Sequence, residues 1–245
     1  MNTIGHILLC AVLVCLRGTA PAADFERDTI KTSVGNLVVT FIGHGTLMMQ
    51  VAGKTIHVDP VSRYADYGTL PKADIVLITH HHGDHCDAKA IEKIRSAATV
   101  VLMSKTCAAM VTGGSVIANG ETRRLDQITV SAMPAYNLKN QKEDGTVFHP
   151  MGEGNGYILT VGATRLYIAG DTENTPEMKS LKSIDYAFLP MNMPYTMTPE
   201  MVADAARAFR PKVLYPYHYG NTDPKKLVEL LKDEQGIEVR IRRMK

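Results

Sequence analysis

The densest chemistry in this chain lies in Thr79-His80-His81-His82-Gly83-Asp84-His85, where imidazoles and one carboxyl crowd a single stretch. Neutral imidazole and carboxylate are the common protein ligands of first-row divalent metals. In extended chain, alternate side chains share a direction, so His80 and His82 point together while His81 points elsewhere. Gly83 permits the tight turn that would bring Asp84 and His85 to a second, adjacent position. Histidines alone would read as a solvated surface cluster; with the intervening Gly and Asp the stretch reads as a metal centre. Cys86 follows directly and is either a further ligand or a small buried residue opening a helix.

Such a cluster needs a rigid support, and one precedes it. Residues 75–79 form a continuous apolar run, as in a strand covered on both faces. Asp87 can cap a helix that follows, with Ile91 and Ile94 on one face. Upstream, residues 37–42, 47–51 and 55–58 read as successive strands joined by glycine-bearing turns. Downstream, strands are expected at 99–103, 127–132, 157–161, 164–169, 184–189, 213–217 and 237–241. Thr198-Pro199 and Asp223-Pro224 are helix starts, a capping oxygen followed by proline. The polar interval 134–156 reads as a long loop, and loops of that length in compact domains are commonly functional. Paired strands followed by strand–helix alternation recur in both halves. Two packed sheets with helices outside accommodate that order better than one parallel sheet. No Pro/Gly/Ser-rich linker separates the halves, so residues 23–245 read as a single domain.

Composition narrows the partners. With 45% hydrophobic and 21% charged residues, the chain has the make-up of a folded globular protein. A net charge of +2, with its one short basic run at 240–245, argues against nucleic acid or an anionic membrane surface and leaves a small-molecule substrate. Residues 1–22 resemble a secretory signal: an apolar run at 7–16, then small residues and an Ala-x-Ala site ending at Ala22. The segment lacks Lys or Arg before its apolar run, and that run is shorter than the ~20 residues a membrane span needs. Export to the periplasm or medium, without stable membrane insertion after cleavage, is the expectation. Cys10 and Cys15 would leave with the signal, and an oxidising compartment would permit Cys86 and Cys107 to pair.

His-x-His-x-Asp-His after an apolar strand resembles the metallo-β-lactamase-fold superfamily of binuclear metallohydrolases. Ala169-Gly170-Asp171-Thr172, Tyr215-Pro216-Tyr217-His218, Phe41-Ile42-Gly43-His44-Gly45 and Val58-Asp59-Pro60 are similar to further segments of its lactonase-like and phospholipase-D-like branch. The resemblance runs from about residue 37 to 221. It implies an α+β fold, a four-layer αβ/βα sandwich of two mixed β-sheets packed face to face with helices outside. It also implies that His80 and His82 hold one metal, that Asp84, His85 and His218 hold another, and that Asp171 bridges them. Many relatives carry a further histidine after Pro-Ala-Tyr, where this chain has Asn137. A neutral amide suits a nitrogen-rich site poorly, and His149 is the available imidazole to complete the first site. Asp59 is a candidate partner for a ligand's second ring nitrogen.

The function implied is a metal-dependent hydrolase in which a hydroxide shared by two divalent ions attacks a small ester, lactone or phosphodiester. Zinc suits the donors and manganese is the alternative. Asp84 would orient the nucleophile, with His44, Asn192 and Tyr195 as further catalytic candidates; Tyr136 and Tyr217 are weighed as substrate contacts or as packing. A true metallo-β-lactamase is the rival reading, though familiar zinc β-lactamases carry Cys or Ser where Asp171 stands. A non-catalytic metal-binding protein that keeps the fold is the third.

Overall fold

Strand patterning in the two halves builds two seven-stranded sheets on one plan, in a computed structural model that describes residues 24–244. The signal sequence expected at 1–22 lies outside the described residues. In the first sheet, β1 (Glu26–Thr32), β2 (Gly35–Gly43), β3 (Thr46–Val51) and β4 (Lys54–Val58) form an antiparallel meander. β5 (Ile75–Ile78), β6 (Val100–Met103) and β7 (Ser115–Val116) then add in parallel. The second sheet repeats this: β8 (Thr122–Leu125), β9 (Ile128–Ala135), β10 (Gly154–Val161) and β11 (Thr164–Ile168) are antiparallel. β12 (Tyr186–Pro190), β13 (Val213–Tyr217) and β14 (Glu238–Val239) follow in parallel.

The alternation of β5 shows why its sequence is apolar throughout. Ile75 and Leu77 join the core between the sheets. Val76 and Ile78 face outward onto Ala90, Ile91 and Ile94 of α1 (Ala88–Ile94). Across the inner layer, Phe41 of the first sheet meets Phe188 and Tyr215 of the second at ring-centroid distances of 6.3 and 5.1 Å. Each such aromatic contributes roughly 1.5–3 kcal/mol by burial, so these rings do much to hold the sheets face to face. Outside the second sheet lie α2 (Pro176–Lys179), α3 (Pro199–Phe209) and α4 (Lys225–Leu231). Phe209 of α3 sets its ring edge-on to Tyr167 of β11 at 6.2 Å. The result is an αβ/βα sandwich.

Caps follow the local sequence. Asp87 accepts from the amides of Lys89 and Ala90, and the Thr175 and Thr198 hydroxyls accept from the amides of Met178 and Met201. At α4, Pro224 holds the cap position, and Asp223 accepts from the Lys225 amide at 3.0 Å. Three strands lack a sequence signature. β1 exposes polar side chains and buries Ile30 alone, while β7 and β8 are short and largely exposed. β1 is fastened by Asp28, which pairs with the Arg242 guanidinium at 2.7 Å and accepts from the Tyr215 hydroxyl. The loop between β9 and β10 is shorter than the sequence suggests, because both strands extend into it and leave 136–153. Among the described residues, no helix is long and apolar enough to cross a membrane.

Candidate metal centre

Strand ends at one edge of the sandwich deliver the candidate ligands, and the two sheets hold each other there. The exit from β5 is tied to β10: the Asn155 amide donates to Thr79 O at 2.8 Å and the Tyr157 hydroxyl to Ile78 O at 2.7 Å. After β11, Gly170 turns the chain at φ +66°, where an added Cβ would lie 2.7 Å from Asn155 O. Glycine there lets Asp171 enter the edge. After β13, His218 adopts φ 45° and His44, on the β2–β3 turn, φ 54°. A left-handed conformation costs a β-carbon residue about 1–2 kcal/mol. Backbone bonds offset it: His218 N donates to His44 O at 2.9 Å, and His44 N to Met244 O at 3.1 Å.

The donors converge. His80 Nε2 and His82 Nδ1 are 3.1 Å apart. Asp171 Oδ2 lies 3.4 Å from His149 Nε2, 3.4 Å from His218 Nε2 and 3.9 Å from His80 Nε2, while its Oδ1 lies 3.4 Å from His85 Nε2. Asp84 Oδ2 is 3.6 Å from His218 Nε2 and 3.9 Å from His85 Nε2. Donors bonded to one ion at ~2.0–2.1 Å with tetrahedral angles stand about 3.3–3.4 Å apart, and these separations bracket that value. Three overlapping groups result, His80 with His82 and His149, Asp84 with His85, His218 and His44, and His80 with His85 and Asp171. The last joins the other two, and Asp171 also lies 3.4 Å from His149 and from His218.

A cation fits this place. His85 Nε2, His149 Nε2, His218 Nε2 and Asp171 Oδ1 are buried without a hydrogen-bond partner. Each such atom costs about 1–3 kcal/mol, and one kind of occupant, a positive ion, would satisfy all of them. The far sides of the rings are already engaged. Asp59, fully buried, accepts from Thr79 N at 2.7 Å, Thr79 Oγ1 at 2.6 Å and His85 Nδ1 at 2.8 Å. The Thr79 oxygen in turn accepts from His80 Nδ1 at 3.0 Å. Both rings therefore turn Nε2 inward, towards the other donors.

Electrostatics favour the ligand forms. Burial depresses the His80 imidazole well below its usual range, with His85 nearby adding to the effect. Burial also pushes His149 down to about 4, against the pull of Asp171. Burial works against the Asp171 carboxylate, yet the imidazoles of His218, His85, His80 and His149 hold its pKa below the usual range. Burial likewise opposes the Asp84 carboxylate, and the neighbouring imidazoles of His218 and His44 overcome it. His85 is the exception: burial would lower it, but Asp171, Asp59 and Asp84 together raise it to about 10. The centre thus attracts positive charge.

Other candidates fall into place around it. Asn137 offers no free donor atom to an ion: its Oδ1 accepts from His149 N and Nδ1 at 2.8 and 2.7 Å, and its Nδ2 donates to Tyr195 O at 2.9 Å. His44 Nε2 lies 3.0 Å from Asp84 Oδ2, and its ring centroid 3.7 Å from that of His218. Asn192 and Tyr195 line a cavity of about 360 Å3 with His82, Asp84, His149, Asp171 and His218. Lys142 and Phe148 line it too; they sit in the 136–153 loop, where no sequence pattern marks them. Tyr136 and Tyr217 are buried and engaged within the fold, the first donating to Glu177 Oε2, the second accepting from Gly170 N. Cys86 packs under α1 as a free buried thiol, as does Cys107.

Two mixed sheets layered between helices, with a His/Asp cluster along one edge, define the metallo-β-lactamase class of fold. The chain belongs to the family described as beta-lactamase superfamily domain, which it matches over residues 38–218, and within it stands with the UPF0173 proteins. A UPF0173 metal-dependent hydrolase of Geobacillus thermodenitrificans is 32% identical over 209 residues, covering 79% of this chain and 92% of that protein. One from Methanopyrus kandleri is 30% identical over 200 residues, covering 76% and 85%. Among solved structures, one named as a metal-dependent hydrolase, from Parabacteroides distasonis, is 50% identical with a TM-score of 0.86, covering 90% of this chain and all of that one. Igni18, a metallo hydrolase of Ignicoccus hospitalis, shares the fold at 23% identity and a TM-score of 0.68, covering 84% and 95%.

Proposed function

We propose that this protein is a metal-dependent hydrolase that uses two divalent ions, zinc or manganese, to cleave a small ester, lactone or phosphodiester. The observation that carries this reading is a cluster of imidazole nitrogens and carboxyl oxygens 3.1–3.9 Å apart beside an open cavity, with His85 Nε2, His149 Nε2, His218 Nε2 and Asp171 Oδ1 buried without a hydrogen-bond partner. His80, His82 and His149 would hold one ion, Asp84, His85 and His218 the other, with Asp171 between them. Divalent ions bound there would acidify a water and polarise the acceptor oxygen of the scissile group.

The chain's own groups supply the rest. Asp84 is the more exposed carboxylate of the centre, and its Oδ2 can take a proton from the attacking water and carry it to the leaving group. His44 Nε2, 3.0 Å away, holds that oxygen in place. From the lining of the same cavity, the Asn192 amide and the Tyr195 hydroxyl can donate to the oxygen that gathers charge. Phe148, edge-on to Tyr195 at 5.0 Å, supplies apolar surface, and Lys142 a single ammonium. A cavity of about 360 Å3 suits a small molecule.

A hydrolysis screen over lactones, phosphodiesters, simple esters and β-lactams, with defined zinc and manganese forms, tests the reading. Turnover in one of the first three classes, lost by at least ~100-fold in Asp171→Ala, is expected. A fully metal-loaded protein inert across the screen, or turnover unchanged in Asp171→Ala, would sink it; robust β-lactam cleavage would move it to the rival class.

A further inference from the structure

Glu173 is a buried carboxyl, 1% exposed, that the metal centre does not itself include. It stands two residues beyond Asp171 and turns away from the ion-binding edge into the 136–153 loop. Its Oε1 accepts from the amides of Asn140 at 2.6 Å and Lys139 at 3.1 Å, and from the Asn137 side-chain Nδ2 at 3.3 Å. Between them, Thr172 stitches the same two segments together: its hydroxyl donates to Tyr136 O at 3.0 Å and accepts from Tyr136 N at 3.1 Å.

The surroundings dictate which way the Asn137 amide faces. One end meets two acceptors, Glu173 Oε1 and Tyr195 O, and must be the nitrogen. The other end meets the backbone N–H of His149 at 2.8 Å, which can only donate, and must be the oxygen. That oxygen also lies 2.7 Å from His149 Nδ1, so Nδ1 carries the proton. Nε2 is then the bare nitrogen, 3.4 Å from Asp171 Oδ2 and without a hydrogen-bond partner.

We propose that Glu173 is a positioning residue of the metal centre, which acts through the Asn137 amide to fix the orientation and tautomer of His149 and present its Nε2 as a ligand. The inference rests on the reading of this edge as a metal centre. One tripeptide, Asp171-Thr172-Glu173, then serves both sides of the ion: Asp171 contributes a ligand directly, and Glu173 aims the ligand that arrives from the loop.

The test is zinc binding by the full chain, measured in competition with a chromophoric chelator, for the wild type, Glu173→Ala, Glu173→Gln, His149→Ala and the Glu173→Ala/His149→Ala double variant. Groups that orient a ligand imidazole are worth roughly 10–100-fold in metal affinity. Glu173→Ala is expected to weaken one zinc equivalent by about that factor. Glu173→Gln, whose amide oxygen can still accept from Lys139 N and Asn140 N, should retain wild-type binding. In the His149→Ala background, Glu173→Ala should cause no further loss, because its effect passes through a ring no longer there. Wild-type affinity in Glu173→Ala, or an equal loss with and without His149, overturns the proposal. Should Glu173→Ala fail to fold, Asn137→Ala carries the same expectations, since it leaves the Glu173 bonds to Lys139 N and Asn140 N in place. A wild type that binds no zinc is a different failure, that of the metal centre itself.

Discussion

Asp59 donates nothing to the ion-binding edge, yet it sets two of the rings that form it. Its carboxyl receives Thr79 N, Thr79 Oγ1 and His85 Nδ1, and through the threonine hydroxyl it also orders His80. Asp59→Ala would leave the Thr79 amide and the His85 Nδ1 proton buried without acceptors. At about 1–3 kcal/mol for each of these two donors, the expected cost is about 2–6 kcal/mol of folding stability, together with a loss of zinc affinity of roughly 10–100-fold. Urea denaturation in chelator and zinc titration measure the two separately. A stability loss with unchanged zinc affinity would show that the rings keep their orientation without Asp59. At this scale the sequence was most legible where chemistry is contiguous. His80, His82, Asp84 and His85 sit side by side, and Asp59 sits beside a proline after an apolar run. Thr79 and Glu173 were not legible, because their roles depend on partners that only folding brings near.

Among the elements, β5 announced itself by an unbroken apolar run, since both of its faces are covered. β1 did not: it is an edge strand, and an edge needs only one apolar contact, here Ile30. The loop 136–153 gave no sign of its shape, as its hydrogen bonds run to Glu173 and to the 192–196 segment rather than along a repeating pattern. β4 carries a more specific consequence. Ile56 and Val58 face the inner core, so His57 points outward, fully buried beside Tyr67, with Nε2 donating to Pro71 O at 3.0 Å. Burial lowers its pKa to about 4, from about 6.5 in the unfolded chain. Between those values the unfolded chain takes up a proton that the folded one refuses. The stability from neutral His57 is therefore complete above pH 6.5 and is lost as pH falls towards 4, with a slope approaching about 1.4 kcal/mol per pH unit. His57→Gln keeps a donor for Pro71 O and removes the titration. Urea midpoints measured from pH 7 to 4.5 in chelator should fall more steeply in the wild type than in this variant, and parallel curves would contradict the assignment.

For the molecule as a whole, the candidate centre is a product of both halves. His80, His82, Asp84 and His85 leave the first sheet after β5, Asp171 leaves the second after β11, and His218 follows β13. The repeated plan of hairpins followed by parallel strands was readable from the order of apolar runs, because both halves solve the same packing problem. The convergence of their edges was not, because it depends on ties such as Asn155 N to Thr79 O across the sheets. The complete donor set forms only in the folded chain, because Asp171, His218 and His149 lie far in sequence from the 80–85 cluster, so an ion binds the folded state far more tightly than the unfolded one. Linkage then fixes the size of the effect: metal at 100 times its dissociation constant adds about 2.7 kcal/mol. At ~2–4 °C per kcal/mol for a domain of this length, the melting temperature should rise by about 5–11 °C. Chelator should reverse the shift, and Asp171→Ala, which removes the group common to both clusters, should abolish most of it. A melting temperature indifferent to zinc and manganese across that range would mean that the two halves meet at this edge for packing alone.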